Sequence, residues 1–261
     1  MINATAPEST ALNVVALRWR QRRHRRRGEQ GGHGSADPAE TARAIEHGRG
    51  LHRCPKKRGG RLLRERGERG LARVEKVVVP APGVTFQLLD GTQAAAHVVE
   101  LQALHAEVYA KPPYGLNDDA ALFADRFRVQ RRQPGFVLAD ARHGGYLVGY
   151  AFGMPLRPST SWWRDLTTPL PGEVTTEYPG RTFALLDLLV RASWRRQGIA
   201  RTLHDLILRT RPEERATLIA LPAATPAQNA FQKWGWRKVA RTGDARRGSP
   251  VYDVLVRCST V

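Results

Sequence analysis

The sequence predicts an α/β domain over residues 78–261, preceded by a disordered basic extension over residues 1–77. Three observations carry that expectation. The stretch Thr182–Thr210, TFALLDLLVRASWRRQGIARTLHDLILRT, reads as a buried strand, a basic turn and an amphipathic helix in immediate succession. Around it the predicted elements run strand, two helices, three strands, helix, strand, helix, two strands. The third observation is charge: the chain carries +18, and residues 1–77 hold 19 Lys+Arg against 8 Asp+Glu while residues 78–261 hold 23 against 16. The N-terminal third is therefore a separate compositional object.

That third contains RWRQRRHRRRGEQGGHG and CPKKRGGRLLRERGERGLAR. High net charge with little to bury predicts disorder, apart from a short helix at Pro38–His47. Arg18–Arg27 reads either as an electrostatic patch for nucleic acid or another polyanion, or as part of a poorly ordered extension outside the working protein. No aromatic ladder or zinc spacing accompanies it, so specific nucleic-acid recognition is unsupported. Ala11–Leu17 precedes the arginines and is too short for a secretory signal. No run approaches the ~20 apolar residues of a membrane span. A cytoplasmic location without a membrane partner is expected. Cys54 and Cys258 indicate neither a disulfide framework nor a metal cluster, and the eight histidines lack ligand spacing, so no metal is expected.

The folded part opens with a strand at Val84–Leu89, ended by Asp90-Gly91. Two helices follow, Ala94–Ala110 and Asn117–Gln133, separated by Lys111-Pro112-Pro113-Tyr114-Gly115; Asn117 caps the second, with Asp118 and Asp119 in its first turn. Phe136–Ala141 and Tyr146–Met154 are strands of a hairpin turning at His143-Gly144-Gly145. Arg157–Arg181 is a long loop rich in proline, and a loop of that length in a compact domain is usually functional or disordered. Its Trp162 and Trp163 either wall an acceptor pocket or fold back to plug an edge of the core. Tyr114 is a further candidate substrate contact.

Thr182–Val190 is apolar except for Asp187, as in a strand covered on both faces. In the helix after it, Ile199, Leu203, Leu206 and Ile207 form one stripe, with Arg201, His204 and Asp205 off it. Pro212 stops that helix. Ala216–Leu221 is a short buried strand. In the helix Thr225–Trp234, Thr225 is the N-cap, Pro226 the first helical residue, Gln228 the partner in a capping box, and Gly235 the stop. Arg237–Arg241 and Val251–Val256 are the last strands, linked by GDARRGSP.

Between the buried strand and its helix lies Arg195-Arg196-Gln197-Gly198-Ile199-Ala200. A helix N-terminus offers unpaired N–H groups, and a glycine there lets an anion approach the backbone. Two arginines add positive potential, so the turn reads as a phosphate or pyrophosphate site; the alternative is a basic turn that merely ends a strand. Gly-x-Gly-x-x-Gly and Gly-x-x-x-x-Gly-Lys-Ser/Thr are both absent, which removes dinucleotide and P-loop readings.

The turn resembles the acyl-CoA signature of the GNAT-type N-acetyltransferases, Gln/Arg-x-x-Gly-x-Gly/Ala, matched by Arg195, Gly198 and Ala200. With the element order, the resemblance covers residues 78–261. It implies a GNAT-like acyl-CoA N-acyltransferase fold, an α+β arrangement on a mixed sheet. The fourth and fifth strands, here Thr182–Val190 and Ala216–Leu221, would splay and admit the pantetheine arm of acetyl-CoA, the co-substrate. Backbone groups of Leu188, Leu189 and Val190 would hold that arm and polarise the thioester carbonyl. Backbone N–H groups from Arg196 through Gln197, Gly198, Ile199 and Ala200 to Arg201 would take the pyrophosphate, behind Arg195.

Acetyl transfer to an amine requires a base, because a lysine-like ammonium has a pKa of ~10.4. Asp187, ionisable in an apolar strand, is the candidate; its other reading is a buried carboxylate held by backbone N–H groups or an arginine. Many family members carry a tyrosine four residues before a Gly-Phe or Gly-Tyr pair, where it protonates the departing thiolate. Here the pair is Gly235-Trp236 and the position is Phe231, which cannot donate. Ala224 replaces a common asparagine, leaving Asn229 as a cofactor contact or an exposed helix residue. Tyr252 or a water are other proton sources. The expected function is N-acetyl transfer from acetyl-CoA to a primary amine of a small molecule or protein. The alternatives are a non-catalytic acetyl-CoA sensor and a polyanion-binding protein working through residues 1–77. The acceptor and the oligomeric state are not legible in the chain.

Overall fold

The computed structural model describes residues 82–114, 120–209, 211–243 and 251–259. The basic tract of residues 1–77, the cap at Asn117 and the turn over 244–250 lie outside them.

Seven strands form one sheet in the order β1-β2-β3-β4-β5-β7-β6. They are β1 (Val84–Leu89), β2 (Val137–His143), β3 (Tyr146–Pro155), β4 (Thr182–Val190), β5 (Arg215–Ala220), β6 (Arg237–Thr242) and β7 (Tyr252–Cys258). The helices are α1 (Val98–Tyr109), α2 (Ala120–Gln130), the single turn α3 (Gly172–Thr175), α4 (Ile199–Arg209) and α5 (Thr225–Lys233). The β4–β5 pairing is parallel and the rest are antiparallel, so the sheet is mixed as expected. The first expected helix is divided: Gln93–His97 is a 3-10 turn, and α1 begins at Val98. Cys258 is disulfide-bonded, where the sequence indicated no disulfide framework.

Helices cover one face of the sheet with α4 and the end of α5, packing Ile199, Leu203, Ile207, Phe231 and Trp236 onto Ala139, Val148, Phe183 and Leu218. On the other face α1 and α2 cover the β1–β4 half through Leu101, Leu104, Phe123 and Phe127. Among the described residues, no helix longer than the single turn α3 packs on the β5–β7 half of that face. The loop of residues 157–181 closes it instead, with Trp162 and Trp163 packed against Ala184, Val239, Val254 and Val256.

That loop is tied down by a buried ion pair. Glu177 Oε1 accepts from Arg215 Nη2 (2.8 Å), Thr182 Oγ1 (2.9 Å) and Trp163 Nε1 (2.9 Å). Arg215 also donates to Thr182 Oγ1 and to the Val174 carbonyl. A carboxylate and a guanidinium this far from water persist because the charges are paired and Oε1 takes three donors, although Glu177 Oε2 is buried with no hydrogen-bond partner.

Capping of α5 differs from expectation. Ala224 stands at the N-cap with no side-chain bond, and Gln228 reaches the Leu221 carbonyl (3.2 Å) and Asp253 (3.1 Å). Pro226 already lacks an N–H, so the helix start has one orphan donor fewer. At the other end Gly235 N–H bonds Gln232 and Trp236 N–H bonds Phe231, the paired bonds of a Schellman stop.

Strand β4 carries a bulge. Phe152 pairs with Asp187 and Gly153 with Leu185, so Leu186 is the extra residue. Gly153 is required beside it: a Cβ there would sit 2.3 Å from the Ala184 carbonyl oxygen and 2.6 Å from the Phe183 ring.

Two variants probe these devices. Gly153→Ala is expected to destabilise the protein by about 1–3 kcal/mol, because backbone cannot move aside as a flexible side chain would. Glu177→Ala is expected to cost about 3–5 kcal/mol by leaving Arg215 buried and unpaired. Urea unfolding midpoints measure both.

Candidate active site

Paired residues of an antiparallel ladder share a face, and successive residues alternate. Phe183 and Leu185 point under α4. Regular alternation would send Asp187 the same way. The extra residue at Leu186 resets the phase, so Asp187 stands opposite Phe152 on the α1–α2 face, while Leu188 and Val190 return to the α4 face.

Tyr150, fully buried on β3, donates its hydroxyl to Asp187 Oδ2 at 2.9 Å. The Leu188 N–H donates to Oδ1 at 3.1 Å. Burial pushes the Asp187 carboxyl above its ordinary range; the positive potential of His105 and Arg126, the Tyr150 bond and the Leu188 N–H oppose it without prevailing. Burial, then the negative charge of Asp187, pushes Tyr150 well above the ordinary phenol value, so it stays a proton donor. A partly buried carboxylate with a raised pKa can take a proton from a bound group near neutral pH.

Beside Asp187 the sheet opens. Pairing of β4 with β5 ends at Ala184↔Thr217, and the six residues Leu185–Val190 run on without β5. At ~3.3 Å per residue the opening is about 20 Å long. Its floor includes the Leu188–Val190 backbone. In this structure the Leu188 N–H meets Asp187, and the Val190 carbonyl accepts from Arg195 Nε at 3.1 Å.

The turn from Arg195 follows at the end of β4. Arg196 has φ 65°, a left-handed conformation that costs a non-glycine residue on the order of 1–2 kcal/mol, and Gly198 has φ 80°. The first helical bond joins Thr202 N–H to the Gly198 carbonyl (3.0 Å), so the N–H groups of residues 199–201 lie ahead of the ladder at a helix N-terminus. Arg195, Arg196 and Gln197 are exposed there, and Ile199 is anchored in the core. Such a turn can bind a pyrophosphate.

His204 was expected off the apolar stripe and is instead fully buried. Trp236 Nε1 donates to its Nε2 (2.9 Å), and an indole N–H can only donate, so the imidazole proton sits on Nδ1, facing Asp205 Oδ1 at 2.8 Å. Burial holds the His204 pKa down. Burial acts to raise Asp205, but the hydrogen bonds from His204 and from Arg201 Nε (2.6 Å) outweigh it and leave the carboxyl below its usual range. Arg201 is thereby connected through α4 to the stop of α5. The sequence offered no signal for this chain of contacts, because its members are 32 residues apart between His204 and Trp236.

The other expected residues are placed as follows. Trp162 and Trp163 are 3% and 8% exposed, and their indole N–H groups bond Thr217 and Glu177, so they close the core rather than wall a pocket. Tyr114 is partly buried beside Tyr109, with ring centroids 4.8 Å apart. Burial and then Asp187 raise its pKa, and Arg195 opposes them. Phe231 packs edge-on against Trp234 and Trp236. Asn229 is exposed and borders a groove with Gln232, Arg237 and Lys238. Tyr252 is buried at the start of β7. Among the described residues, no cluster of His, Cys, Asp and Glu could hold a metal, and no helix is long and apolar enough to cross a membrane.

A family model described as the acetyltransferase (GNAT) family matches residues 100–236. Among solved structures the chain is similar to Ard1 from Thermoplasma volcanium, with 16% identity, 69% of this chain and 99% of that chain covered, and a TM-score of 0.46. It is similar to Arabidopsis thaliana NAA60 in complex with a bisubstrate analogue (13%, 68% and 99%, 0.49). Aminoglycoside 6'-acetyltransferase type Ii is a third such structure (14%, 68% and 98%, 0.48). These likenesses concern the fold alone. Comparison with curated proteins finds no match.

Tyr150→Phe removes a hydrogen bond that favours the ionised carboxylate. The Asp187 pKa is therefore expected to rise further, because the bond that opposes burial is lost. Carbon-13 NMR titration of the aspartate carboxyls measures the shift.

Proposed function

The chain belongs to the GNAT acetyltransferase family, and from that premise we propose that it is an N-acetyltransferase moving the acetyl group of acetyl-CoA to a primary amine, with Asp187 as the base. The observation that carries the reading is the position of Asp187: a bulge turns it toward the α1–α2 face at the edge of the β4–β5 opening. The protein is proposed to work in the cytoplasm without a metal.

In the proposed reaction the pyrophosphate of acetyl-CoA binds the N–H groups between Arg196 and Arg201. The pantetheine lies along Leu188–Val190 and displaces the Leu188 and Val190 contacts described above. The acceptor enters from the α1–α2 side as an ammonium and gives a proton to Asp187, directly or through a water. The freed amine nitrogen attacks the thioester carbon, an N–C bond forms, and the C–S bond breaks. Coenzyme A departs as a thiolate, and the second proton that the nitrogen loses as the amide forms passes through water to that thiolate or to solvent. Backbone N–H of β4 stabilises the oxyanion between these steps.

Phe231 supplies no proton to the thiolate. A thiol of pKa ~8.5 is a far better leaving group than an alkoxide, and positioning alone contributes on the order of 7–11 kcal/mol. The reaction therefore proceeds without an enzymic acid at this place. The same phenylalanine favours a second reading, a module that binds acetyl-CoA and does not turn it over. Turnover separates the two.

Asp187→Asn in the full chain is expected to lower kcat by about 10²- to 10⁴-fold while acetyl-CoA affinity changes less than about threefold. Free-thiol release and isothermal titration measure the pair, and wild-type turnover in the variant would sink the role given to Asp187. Linkage adds a check of sign. The raised pKa of Asp187 stabilises the fold below the unfolded value, and that contribution is lost as pH rises through the folded value. The asparagine variant is thus expected to melt no lower than the parent at pH 8.

A further inference from the structure

The two carboxylate oxygens of Asp187 have different partners. Oδ2 accepts from the Tyr150 hydroxyl at 2.9 Å, and Oδ1 accepts from the Leu188 N–H at 3.1 Å. The second of these partners belongs to the open edge of β4. In an antiparallel ladder alternate residues turn both backbone groups toward the neighbouring strand. The Arg191 N–H bonds the Val148 carbonyl of β3 at 2.9 Å, so Leu189 turns the same way, while Leu188 and Val190 turn from β3 toward the side where pairing with β5 has ended. There the Leu188 N–H is held by Asp187, and the Val190 carbonyl is held by Arg195 Nε at 3.1 Å. The free protein thus covers its own opening, with the residue given the role of base and with the first residue of the phosphate turn.

Both covering bonds lie at the long end of the N–H···O range, and Arg195 is exposed, so they can be exchanged. A pantetheine arm carries two secondary amides, each a donor and an acceptor. It offers the Leu188 N–H and the Val190 carbonyl what a neighbouring strand would offer them. Tyr150 is fully buried, and its bond keeps the carboxylate in place while Oδ1 is released. An oxygen that has lost an N–H donor accepts a proton more readily.

We propose, resting on the acetyl-transfer reading for the identity of the cofactor, that Asp187 Oδ1 is the atom that takes the proton of the acceptor ammonium, and that the Leu188 N–H masks it until the pantetheine arm claims that N–H. Linkage follows: a cofactor that makes Asp187 a better proton acceptor is itself bound more tightly when Asp187 is protonated. Coenzyme A affinity is then greatest below the pKa of Asp187 in the free protein, and falls as pH rises from that value to the higher one in the complex. Tyr150 of β3, His105 of α1, Arg126 of α2 and Tyr114 beyond α1 also interact with this carboxyl. They do so with or without cofactor, so the difference between the two states reports on Oδ1.

The experiment follows the full chain by NMR over a pH titration, reading the Asp187 carboxyl carbon and the Leu188 amide proton, alone, saturated with coenzyme A, and saturated with 3',5'-ADP, which carries phosphates without pantetheine. In the free protein the Leu188 amide is expected to move at the Asp187 midpoint, because a bonded N–H senses the charge on its acceptor. With coenzyme A the midpoint is expected to shift upward and the amide to stop following it; with 3',5'-ADP the amide still follows and the midpoint shifts less. Calorimetry in buffers of different ionisation enthalpy is expected to show more protons taken up with coenzyme A by the parent than by Asp187→Asn. An amide that ignores Asp187 in the free protein, one that follows it equally in the complex, or a midpoint shift as large with 3',5'-ADP overturns the inference. Each of these outcomes leaves acetyl transfer standing wherever coenzyme A binds and thiol release is seen, whereas failure of coenzyme A to bind removes both.

Discussion

The arrangement of this domain depends on the register of β4 against its two neighbours. Along β3 the strand is paired from Phe183 to Val190 but carries one residue too many, Leu186. Along β5 it is paired only as far as Ala184. The first irregularity chooses which face receives Asp187, and the second leaves backbone open beside it. Both occur within a few residues, so the one ionisable side chain of an apolar strand and the one unzipped stretch of the sheet coincide.

An opening of this kind weakens a sheet, and the surrounding structure offsets the loss. On one face α4 and the end of α5 are joined by Trp236, His204, Asp205 and Arg201, which holds the helix N-terminus beyond the turn in place. On the other face the split between helices and loop follows the split in the sheet: α1 and α2 cover the half with β1–β4, and residues 157–181 cover the half with β5–β7. Glu177 and Arg215 secure the loop exactly where the β4–β5 ladder begins, since Thr182 and Arg215 are partners in its first pairing. The ends of the two strands are held together at one side so that they can part at the other.

Much of the fold was legible. Thr182–Val190 and Val84–Leu89 have the predicted bounds, because a long apolar run and a strand ended by Asp-Gly are local signals. The hairpin at Gly144-Gly145 is local too, as both residues adopt positive φ. Gln228 was misread because a capping box and a longer-range bond to Asp253, 25 residues away, use the same side chain. His204 was misread because an amphipathic stripe records polarity, whereas hydrogen bonds at both ring nitrogens, to Trp236 and Asp205, offset the cost of burying a neutral imidazole. Trp162 and Trp163 carried two readings in the chain; their packing on the β5–β7 half, visible only in the assembled sheet, places them in the core.

The sequence by itself determined the kinds of element, their order and the residue types at the turn after β4, since periodicity, glycine and proline act over a few residues. It also marked Asp187 as out of place in an apolar strand. Only the tertiary structure decided where that carboxylate points and what it meets. A bulge is a mismatch between two strands, here residues 149–155 and 183–190, and neither strand contains it alone. Likewise Tyr150 becomes the partner of Asp187 across 37 residues of chain, through a register that side-chain alternation inverts with a slip of one.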